Sequence, residues 1–410
     1  MLQKPRGTRD FLPDEMAQRR TAEAKMREAV GRWGYGEVCT PTFEHLELFT
    51  MRSGENIKQE MYVFEDKSGR QMTLRPEVTA SVSRMYVNEG RSIAKPLRWY
   101  YVADCFRYER PQKGRYRQFW QFGVELIGAD SAAADAEVIM VADDLLRSVG
   151  LDYDLKVGFL APMKHLLSGV EPSLQRQVMA YLDKRDMDGL KGCLETCGQA
   201  ELEDSLTGLV SCRDPAEAFE ICGDIPEKER VEGIFRILDG EEIDYTVNFG
   251  IARGLDYYTG MVFEGFAHNL GAENQVLGGG NYRLAQLFGG DDAPSCGFAI
   301  GFDRVMVSLG DYPLEKQPVV AVLSQPGLEA AAFGVARSMR AAGVRAEVNL
   351  LGRGMGAQLA HAAKSADYAC IMGTREAEAG TVTLKDLHSG EQREMKLDEA
   401  IAGVKGVGAR

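Results

Sequence analysis

The sequence has no long apolar run and no paired-cysteine motif. Its eight cysteines (at 39, 105, 193, 197, 212, 222, 296 and 370) include no Cys-x-x-Cys pair, which argues against a disulfide framework and a zinc ribbon. The five histidines form no metalloprotease pattern, so we expect no protein-held metal ion. No stretch approaches the ~18 apolar residues that span a bilayer, and the first residues lack the apolar core of a secretory signal. We therefore expect a cytoplasmic protein that does not bind membranes.

The acidic balance of the chain is uneven. The net charge is −13, and residues 161–240 alone carry 16 acidic against 9 basic residues. Residues 317–410, by contrast, carry 10 acidic and 11 basic residues. The stretch 107–117 holds five basic residues and one acid, Glu109. Because local fields decide where a polyanion docks, the overall sign of the charge does not exclude RNA.

Apolar periodicity divides the first part of the chain into helices and strands. A helix over 14–33 is predicted from Ala22, Met26, Ala29 and Val30, and the glycines at 34 and 36 end it. The remaining predicted elements are strands at 71–74, 97–109 and 119–128, a helix at 134–149 and an extended segment at 155–160.

Two later regions differ from this pattern. Residues 163–240 are acidic and helical, and strand-rich sequence resumes at Tyr245, so we interpret them as an insertion. After a linker at 313–318, strands and helices alternate as far as Met372. This alternation predicts a separate small α/β domain with a largely parallel sheet.

The hairpin over 105–128 carries the most informative chemistry. Alternate side chains of a strand share a face, so Gln121 and Glu125 should point to one side, with Gly123 between them leaving room for a small ligand. Arg107 and Glu109 should share a face at the end of the preceding strand. An ordinary hairpin with a solvated polar face remains the alternative for this segment taken alone.

Taken together with other segments, the hairpin resembles motif 2 (about 97–128) of the class II aminoacyl-tRNA synthetases. Residues 14–41 are similar to the dimer-forming motif 1, and Gly297–Arg304, within about 295–309, resembles motif 3. The run Arg253-Gly-Leu-Asp-Tyr-Tyr258, within 250–260, resembles the signature of the histidyl-tRNA synthetases. Lys4–Pro13 is similar to the usual opening of that family. The motifs occur in the family's order, and the resemblance covers essentially the whole chain.

This resemblance implies the fold and the partners. The expected architecture is an α+β catalytic domain (1–316) built on an antiparallel sheet, with a helical insertion at about 163–240. A C-terminal α/β anticodon-binding domain (317–410) should follow. The implied activity is that of a histidine–tRNA ligase, with L-histidine, ATP and tRNA(His) as substrates and Mg²⁺ bound with the ATP. A homodimer is implied, and no DNA partner.

By the same resemblance, cations hold the nucleotide, because attack of a carboxylate on the α-phosphate brings negative groups together. Arg107 would bridge the histidine carboxylate and the α-phosphate, and Arg253 would stand near the α-phosphate; these are the two expected catalytic residues. Glu109 would contact adenine. Arg115 and Arg304 would contact the γ-phosphate.

The resemblance also implies an amino-acid pocket and an RNA contact. The expected histidine-binding residues comprise Arg107 and Arg253 together with Glu77, Val78, Thr79, Gln121, Glu125, Tyr257 and Tyr258. Glu77, Thr79 and Gln121 would take the ammonium group; Glu125 and Tyr258 would take the imidazole. Val78 stands where the family often has glycine. Gln112 would lie near the acceptor end of the tRNA. The glycine-rich run 278–283 should form a strand and turn beside the pocket.

Three other functions remain open on the sequence. The first is the synthetase-like regulatory subunit of ATP phosphoribosyltransferase, which shares the catalytic fold; the intact Arg253 signature and the C-terminal domain argue against it. The second is a class II synthetase for glycine, threonine or proline, and the third is a plain RNA-binding module. Histidine-dependent exchange of pyrophosphate into ATP separates all of them.

Overall fold

The chain divides into two units, Met1–Tyr312 and Pro313–Arg410, and each unit has its own main hydrophobic core. The structure is a computed structural model, and it describes residues 2–53, 55–184, 186–251, 258–271, 274–314 and 317–407.

The first unit contains long helices that cover a sheet. Its helices are α1 (Pro13–Arg32), α2 (Glu47–Ser53), α3 (Thr79–Met85), α4 (Ala132–Ser148), α5 (Leu160–Leu166), α6 (Pro172–Lys184), α7 (Met187–Thr196), α8 (Leu202–Ser211), α9 (Pro215–Cys222), α10 (Lys228–Gly240) and α11 (Phe302–Leu309). Helix α1 begins at a proline followed by two acids, residues that suit a first turn, and buries the predicted apolar face.

The strands of this unit form two sheets. The strands are β1 (Gly36–Glu37), β2 (Phe43–His45), β3 (Val63–Glu65), β4 (Gln71–Leu74), β5 (Leu97–Phe106), β6 (Gln118–Ile127), β7 (Tyr153–Phe159), β8 (Thr246–Val247), β9 (Met261–Ala267), β10 (Gln275–Tyr282) and β11 (Ser295–Gly301). The large sheet has eight strands in the order β1-β5-β6-β11-β10-β9-β7-β8, and β2-β4-β3 form a small sheet. The pairs from β5 to β7 are antiparallel, and only the edge pairs β1–β5 and β7–β8 are parallel.

The central strands present one apolar face and one polar face. On β6, Phe122, Val124 and Leu126 are buried in the main core. The alternate positions Gln121 and Glu125 line a cavity on the other face, as the sequence predicts. The expected strand 97–109 ends at Phe106, so Arg107 and Glu109 lie in the connection beyond it.

Helices α5 to α10 occupy the predicted insertion and pack on the main core through apolar faces. Ion pairs also hold helix α10 against the start of α4. Arg230 pairs with Asp130 and with the buried Asp135, with a distance of 2.8 Å between Arg230 Nη2 and Asp135 Oδ2. Burial raises the pKa of Asp135.

The second unit contains β12 (Val319–Ser324), α12 (Glu329–Ala341), β13 (Arg345–Val348), α13 (Met355–Ala362), β14 (Tyr368–Met372), α14 (Thr374–Ala379), β15 (Val382–Asp386), β16 (Gln392–Met395) and α15 (Leu397–Val407). Strands β13, β12 and β14 are parallel, but β15 and β16 add antiparallel pairs. The expected largely parallel sheet is therefore wrong: the prediction ended its strands at Met372, and the two strands that follow, β15 and β16, add antiparallel pairs at one edge of the sheet.

Candidate active site

A cavity of about 660 Å³ opens on the polar face of the large sheet. Strands β6, β9, β10 and β11, helix α11 and the connection between β5 and β6 supply its walls. Glu125 is fully buried at its inner end, whereas the Arg107 and Arg115 side chains are 37% exposed. The cavity thus has a deep acidic end and a more open cationic end.

Glu125 is the central group of the deep end. The Tyr282 hydroxyl donates to its Oε2 at 2.6 Å, and the Tyr101 hydroxyl lies 3.4 Å from its Oε1. Burial raises the pKa of Glu125 to about 8, with Glu77 adding to the rise and the tyrosine hydrogen bonds opposing it. This carboxyl group is thus mostly protonated at pH 7.

Two glycines shape the space around this carboxylate. Gly297 of β11 is opposite Glu125 in the strand register, and a Cβ added there would lie 2.0 Å from Glu125 Oε2. The glycine therefore makes room for the carboxylate. A Cβ on Gly123 would lie 2.1 Å from the Tyr101 ring, so the space above that residue is filled. The expectation that Gly123 leaves room for a ligand is wrong, because the neighbouring strand places Tyr101 over it.

The residues expected to take an ammonium group lie at the same end. Glu77, Thr79 and Gln121 all line the cavity. The Glu77 carboxylate also accepts from the Ala80 amide at the start of α3, at 3.1 and 3.3 Å. Val78 does not face the cavity; its side chain is 1% exposed and packs in a separate core cluster. Any contribution of Val78 to ligand binding would therefore come from its backbone.

Arg107 lies between the two ends of the cavity. Its Nε donates to the Pro76 carbonyl at 2.9 Å, and its guanidinium carbon lies 5.2 Å from the centre of the Phe119 ring. Its Nη1 is 4.0 Å from Glu109 Oε1. These contacts fix the guanidinium where it borders both the acidic end and the cationic end of the cavity.

The connection between β5 and β6 presents the expected nucleotide-binding residues. Arg115 Nε donates to the Glu109 carboxylate, so these two side chains are paired with each other. The backbones of Gln112 and Arg115 form an isolated bridge at the tip, where Gln112 is exposed. The roles expected for Glu109 and Arg115 require their ion pair to open when a nucleotide binds.

Arg304 closes the cationic end from α11. Its Nη1 donates to the Gln275 carbonyl at 2.6 Å, and its Nε donates to the Gly114 carbonyl at 3.3 Å. Gly114 has a φ of 74°, a conformation that favours glycine at this turn of the connection. Arg304 is thus in direct contact with the connection.

The remaining predicted residues belong to the histidyl signature. Tyr258 lines the cavity and packs against Leu160, Ile251 and Val262. Arg253 and Tyr257 lie outside the described residues. In the glycine-rich run, an added Cβ on Gly280 would lie 2.4 Å from the Met261 carbonyl, so the backbones approach closely there, as expected.

Sequence reasoning missed two aromatic groups and one thiol at the deep end. Tyr101 and Tyr282 are both buried and reach Glu125 from β5 and β10. The Cys105 thiol lies 3.2 Å from Gln121 Oε1, and burial raises its pKa to about 12, so it is an inert thiol at neutral pH. Only the strand register, which the sequence does not show, brings these residues together.

No group of three or more His, Cys, Asp or Glu side chains among the described residues is arranged to hold a metal ion. No helix in the described part of the chain is long and apolar enough to cross a membrane.

The mainly antiparallel sheet, and a cavity on it that is acidic at one end and lined by arginines at the other, agree with the catalytic domain of a class II aminoacyl-tRNA synthetase. The family model described as histidyl-tRNA synthetase matches residues 7–305, and the one described as anticodon binding domain matches residues 317–406. The chain is 69% identical over 409 residues to the histidine–tRNA ligase of Methanoculleus marisnigri, covering 100% of both chains.

Solved structures agree with these matches. The apo histidyl-tRNA synthetase of S. aureus superposes with a TM-score of 0.74 at 26% identity, covering 98% of this chain and 100% of that one. A Bacillus halodurans structure described as ATP phosphoribosyltransferase regulatory subunit/histidyl-tRNA synthetase gives a TM-score of 0.77 at 25% identity, covering 91% and 97%. The chain belongs to the histidyl-tRNA synthetase family, which confirms the predicted fold class and the predicted activity of a histidine–tRNA ligase.

Proposed function

We propose that the cavity activates L-histidine with ATP, forming histidyl-adenylate and pyrophosphate, and that the chain then transfers histidine to the 3′ end of tRNA(His). The observation that carries this proposal is the buried Glu125 at the end of a cavity whose opening is lined by arginines. The ligands that fill this cavity need a polar side chain with a hydrogen-bond donor at the deep end and a polyphosphate at the cationic end. Histidine and ATP together have this chemistry.

The deep end would hold the amino acid. Glu77, Thr79 and Gln121 would surround the ammonium group, and Glu125 and Tyr258 would take the imidazole. A Glu125 carboxyl group with a pKa of about 8 can share one proton with an imidazole, whose ordinary pKa is about 6.5. We propose that this shared proton between Glu125 and the imidazole makes the site select histidine over other amino acids.

The cationic end would hold the triphosphate. Arg107 would contact both the histidine carboxylate and the α-phosphate, since it borders both ends of the cavity. Arg304 and Arg115 would move from their present partners to the γ-phosphate, and Glu109 would accept from the adenine amino group. Arg253 would add charge at the α-phosphate; this role rests on the family resemblance alone.

Magnesium would arrive with the nucleotide. Glu109 is paired with Arg115, and the Glu264 carboxylate accepts from Gln275 Nε2 at 3.0 Å, so these two acids of the cationic end already have partners. The surrounding groups are mainly arginines, which fit phosphate oxygens and not a metal ion. Mg²⁺ bound to the β- and γ-phosphates would lower their negative charge.

The RNA would contact both units. The connection between β5 and β6, with Gln112 at its exposed tip, would meet the acceptor end of the tRNA. Residues 317–410 would bind the anticodon stem and loop, which agrees with the family model that covers them. Their near-neutral charge repels RNA less than the acidic insertion does.

A homodimer in the cytoplasm is part of the same proposal. The small sheet leaves Phe43 and Phe64 exposed by 55% and 42%, and both are on the face that carries His45. Because exposed apolar strands need burial, we propose that a second copy of the chain covers this face, which follows the α1–β1 unit in the sequence.

Pyrophosphate exchange tests the proposed activation. Purified protein with ATP, Mg²⁺ and labelled pyrophosphate should form labelled ATP when L-histidine is added. Glycine, threonine and proline should give none above background. Exchange with one of these amino acids, or no exchange at all, would contradict the proposal. The second outcome would favour a regulatory subunit, the other description attached to the Bacillus halodurans structure.

A further inference from the structure

The buried carboxylate of Asp303, beside the cationic end of the cavity, joins three segments: the residues before α1, helix α1 and strand β6. Asp303, the second residue of α11, is 1% exposed. Its Oδ1 accepts from Arg9 and, at 2.8 Å, from Arg19 Nη1 of α1, while its Oδ2 accepts from the Trp120 amide of β6 at 2.6 Å. The residue that follows is Arg304, so this cluster fixes the start of the helix that carries a proposed phosphate ligand.

The segment that precedes α1 also contacts the connection between β5 and β6. The Gly7 carbonyl accepts from the Arg117 amide at 2.8 Å, and the Arg9 guanidinium lies 3.8 Å from the centre of the Tyr116 ring. Arg9 also lies over the Phe11 ring at 4.7 Å, and Phe11 meets Trp120 edge to face. Arg9 is thus a link between the connection and α11.

The cavity itself shows why this link matters. Tyr116 and Asp303 both line the cationic end, whereas Arg9 is not among its lining residues. Arg9 therefore acts on the ligand only through its neighbours. With Arg304 bonded to Gly114, the connection is held at three nearby positions (114, 116 and 117), two of them by the segment 7–9.

We propose that Arg9 is a positioning residue for ATP: it holds Tyr116 and the start of α11 so that Arg115 and Arg304 meet the triphosphate in a fixed arrangement. This inference rests on the proposed function. Loss of Arg9 leaves Asp303 with Arg19 and the Trp120 amide, so the fold should persist. The connection would then have to be ordered when ATP binds, and that entropy cost would weaken ATP binding.

Steady-state pyrophosphate exchange by the full chain tests this proposal. Arg9→Ala should raise the KM for ATP about tenfold and change the KM for histidine less than twofold, because a charged hydrogen bond contributes roughly that factor or more. Arg9→Lys keeps the cation beside Asp303 but loses the planar stacking on Tyr116, so it should give about a threefold rise. Arg6→Ala is the matched control: it removes the same charge from an exposed side chain of the same segment and should behave as wild type.

The outcomes separate the two proposals. An ATP KM unchanged in Arg9→Ala would overturn the positioning role, and so would an equal rise in both KM values together with a lower melting temperature. Should Arg9→Ala not fold, Arg9→Lys decides, and a wild-type ATP KM in that variant overturns the role. An absence of histidine-dependent exchange in the wild type contradicts the proposed function itself.

Discussion

Replacing Glu125 with glutamine should stabilise the unliganded protein and weaken histidine binding at the same time. The carboxyl group is fully buried, and its pKa is raised from 4.5 to about 8. A carboxyl group whose folded-state pKa is raised makes its full contribution to the free energy of unfolding below pH 4.5. That contribution is lost as the pH rises from 4.5 to about 8, since the unfolded chain releases the proton first.

The size of the effect follows from this shift. Each pH unit in the window costs about 1.4 kcal/mol of unfolding free energy, so on the order of 3 kcal/mol is lost by pH 7. Glutamine carries no such cost, and its carbonyl oxygen can still accept from Tyr282. Allowing about 1 kcal/mol for poorer hydrogen bonds of the amide, the variant should gain on the order of 2 kcal/mol at pH 7 and lose about 1 kcal/mol below pH 4.5.

Thermal unfolding of both proteins from pH 5 to pH 8 measures this difference. The melting temperature of the variant relative to that of the wild type should rise with pH: the two should be nearly equal at pH 5, and that of the variant should be clearly higher at pH 7 and above. In pyrophosphate exchange the KM for histidine should rise about tenfold to a hundredfold, with the KM for ATP within about twofold. A melting-temperature difference that is independent of pH would refute the claim that the Glu125 carboxyl group is protonated. An unchanged KM for histidine would show that the imidazole binds elsewhere.

Three further predictions concern other parts of the molecule. Arg253→Ala should lower kcat for adenylate formation by on the order of 10²–10³, because it removes charge stabilisation made mainly in the transition state. Rapid quench measures this rate, and full activity would show that the role of this arginine is misassigned. Gly297→Ala should lower the unfolding free energy by about 2 kcal/mol and raise the KM for histidine, because the added Cβ would meet Glu125. In the control Gly192→Ala the added Cβ meets nothing within 4 Å, so the KM for histidine should stay unchanged; the unfolding free energy should not fall and should rise by up to about 1 kcal/mol, because Gly192 lies inside helix α7. A chain ending at Tyr312, the limit of the first unit, should still exchange pyrophosphate but charge tRNA with a much higher tRNA KM; unchanged charging would remove the second unit from RNA binding.

Local pattern predicted much of the catalytic fold. Strand alternation alone assigns Gln121 and Glu125 to one face and Phe122 to the other, because the side-chain period of a strand is two. Helix α1 and strand β4 likewise follow from periodicity and end close to their predicted bounds. These features depend on neighbours in sequence, and so the sequence shows them.

The contacts that set the site's electrostatics depend on distant residues instead. Tyr282 reaches Glu125 from 157 positions away, and Arg9 reaches Asp303 from 294 positions away. The wrong expectation for Gly123 has the same origin, since the register of β5 and β6 places Tyr101 over it. A sequence shows that a glycine makes room, but the neighbouring strand determines which atoms fill the space.

Aminoacylation is the most direct test of the central claim. Purified chain, ATP, Mg²⁺ and labelled L-histidine should convert a tRNA(His) transcript to its charged form, and a transcript of another tRNA should remain uncharged. Charging that depends on both ATP and the matching tRNA is the predicted result. Adenylate formation without charged tRNA, or charging with a different amino acid, would contradict the assignment of this cavity to a histidine–tRNA ligase.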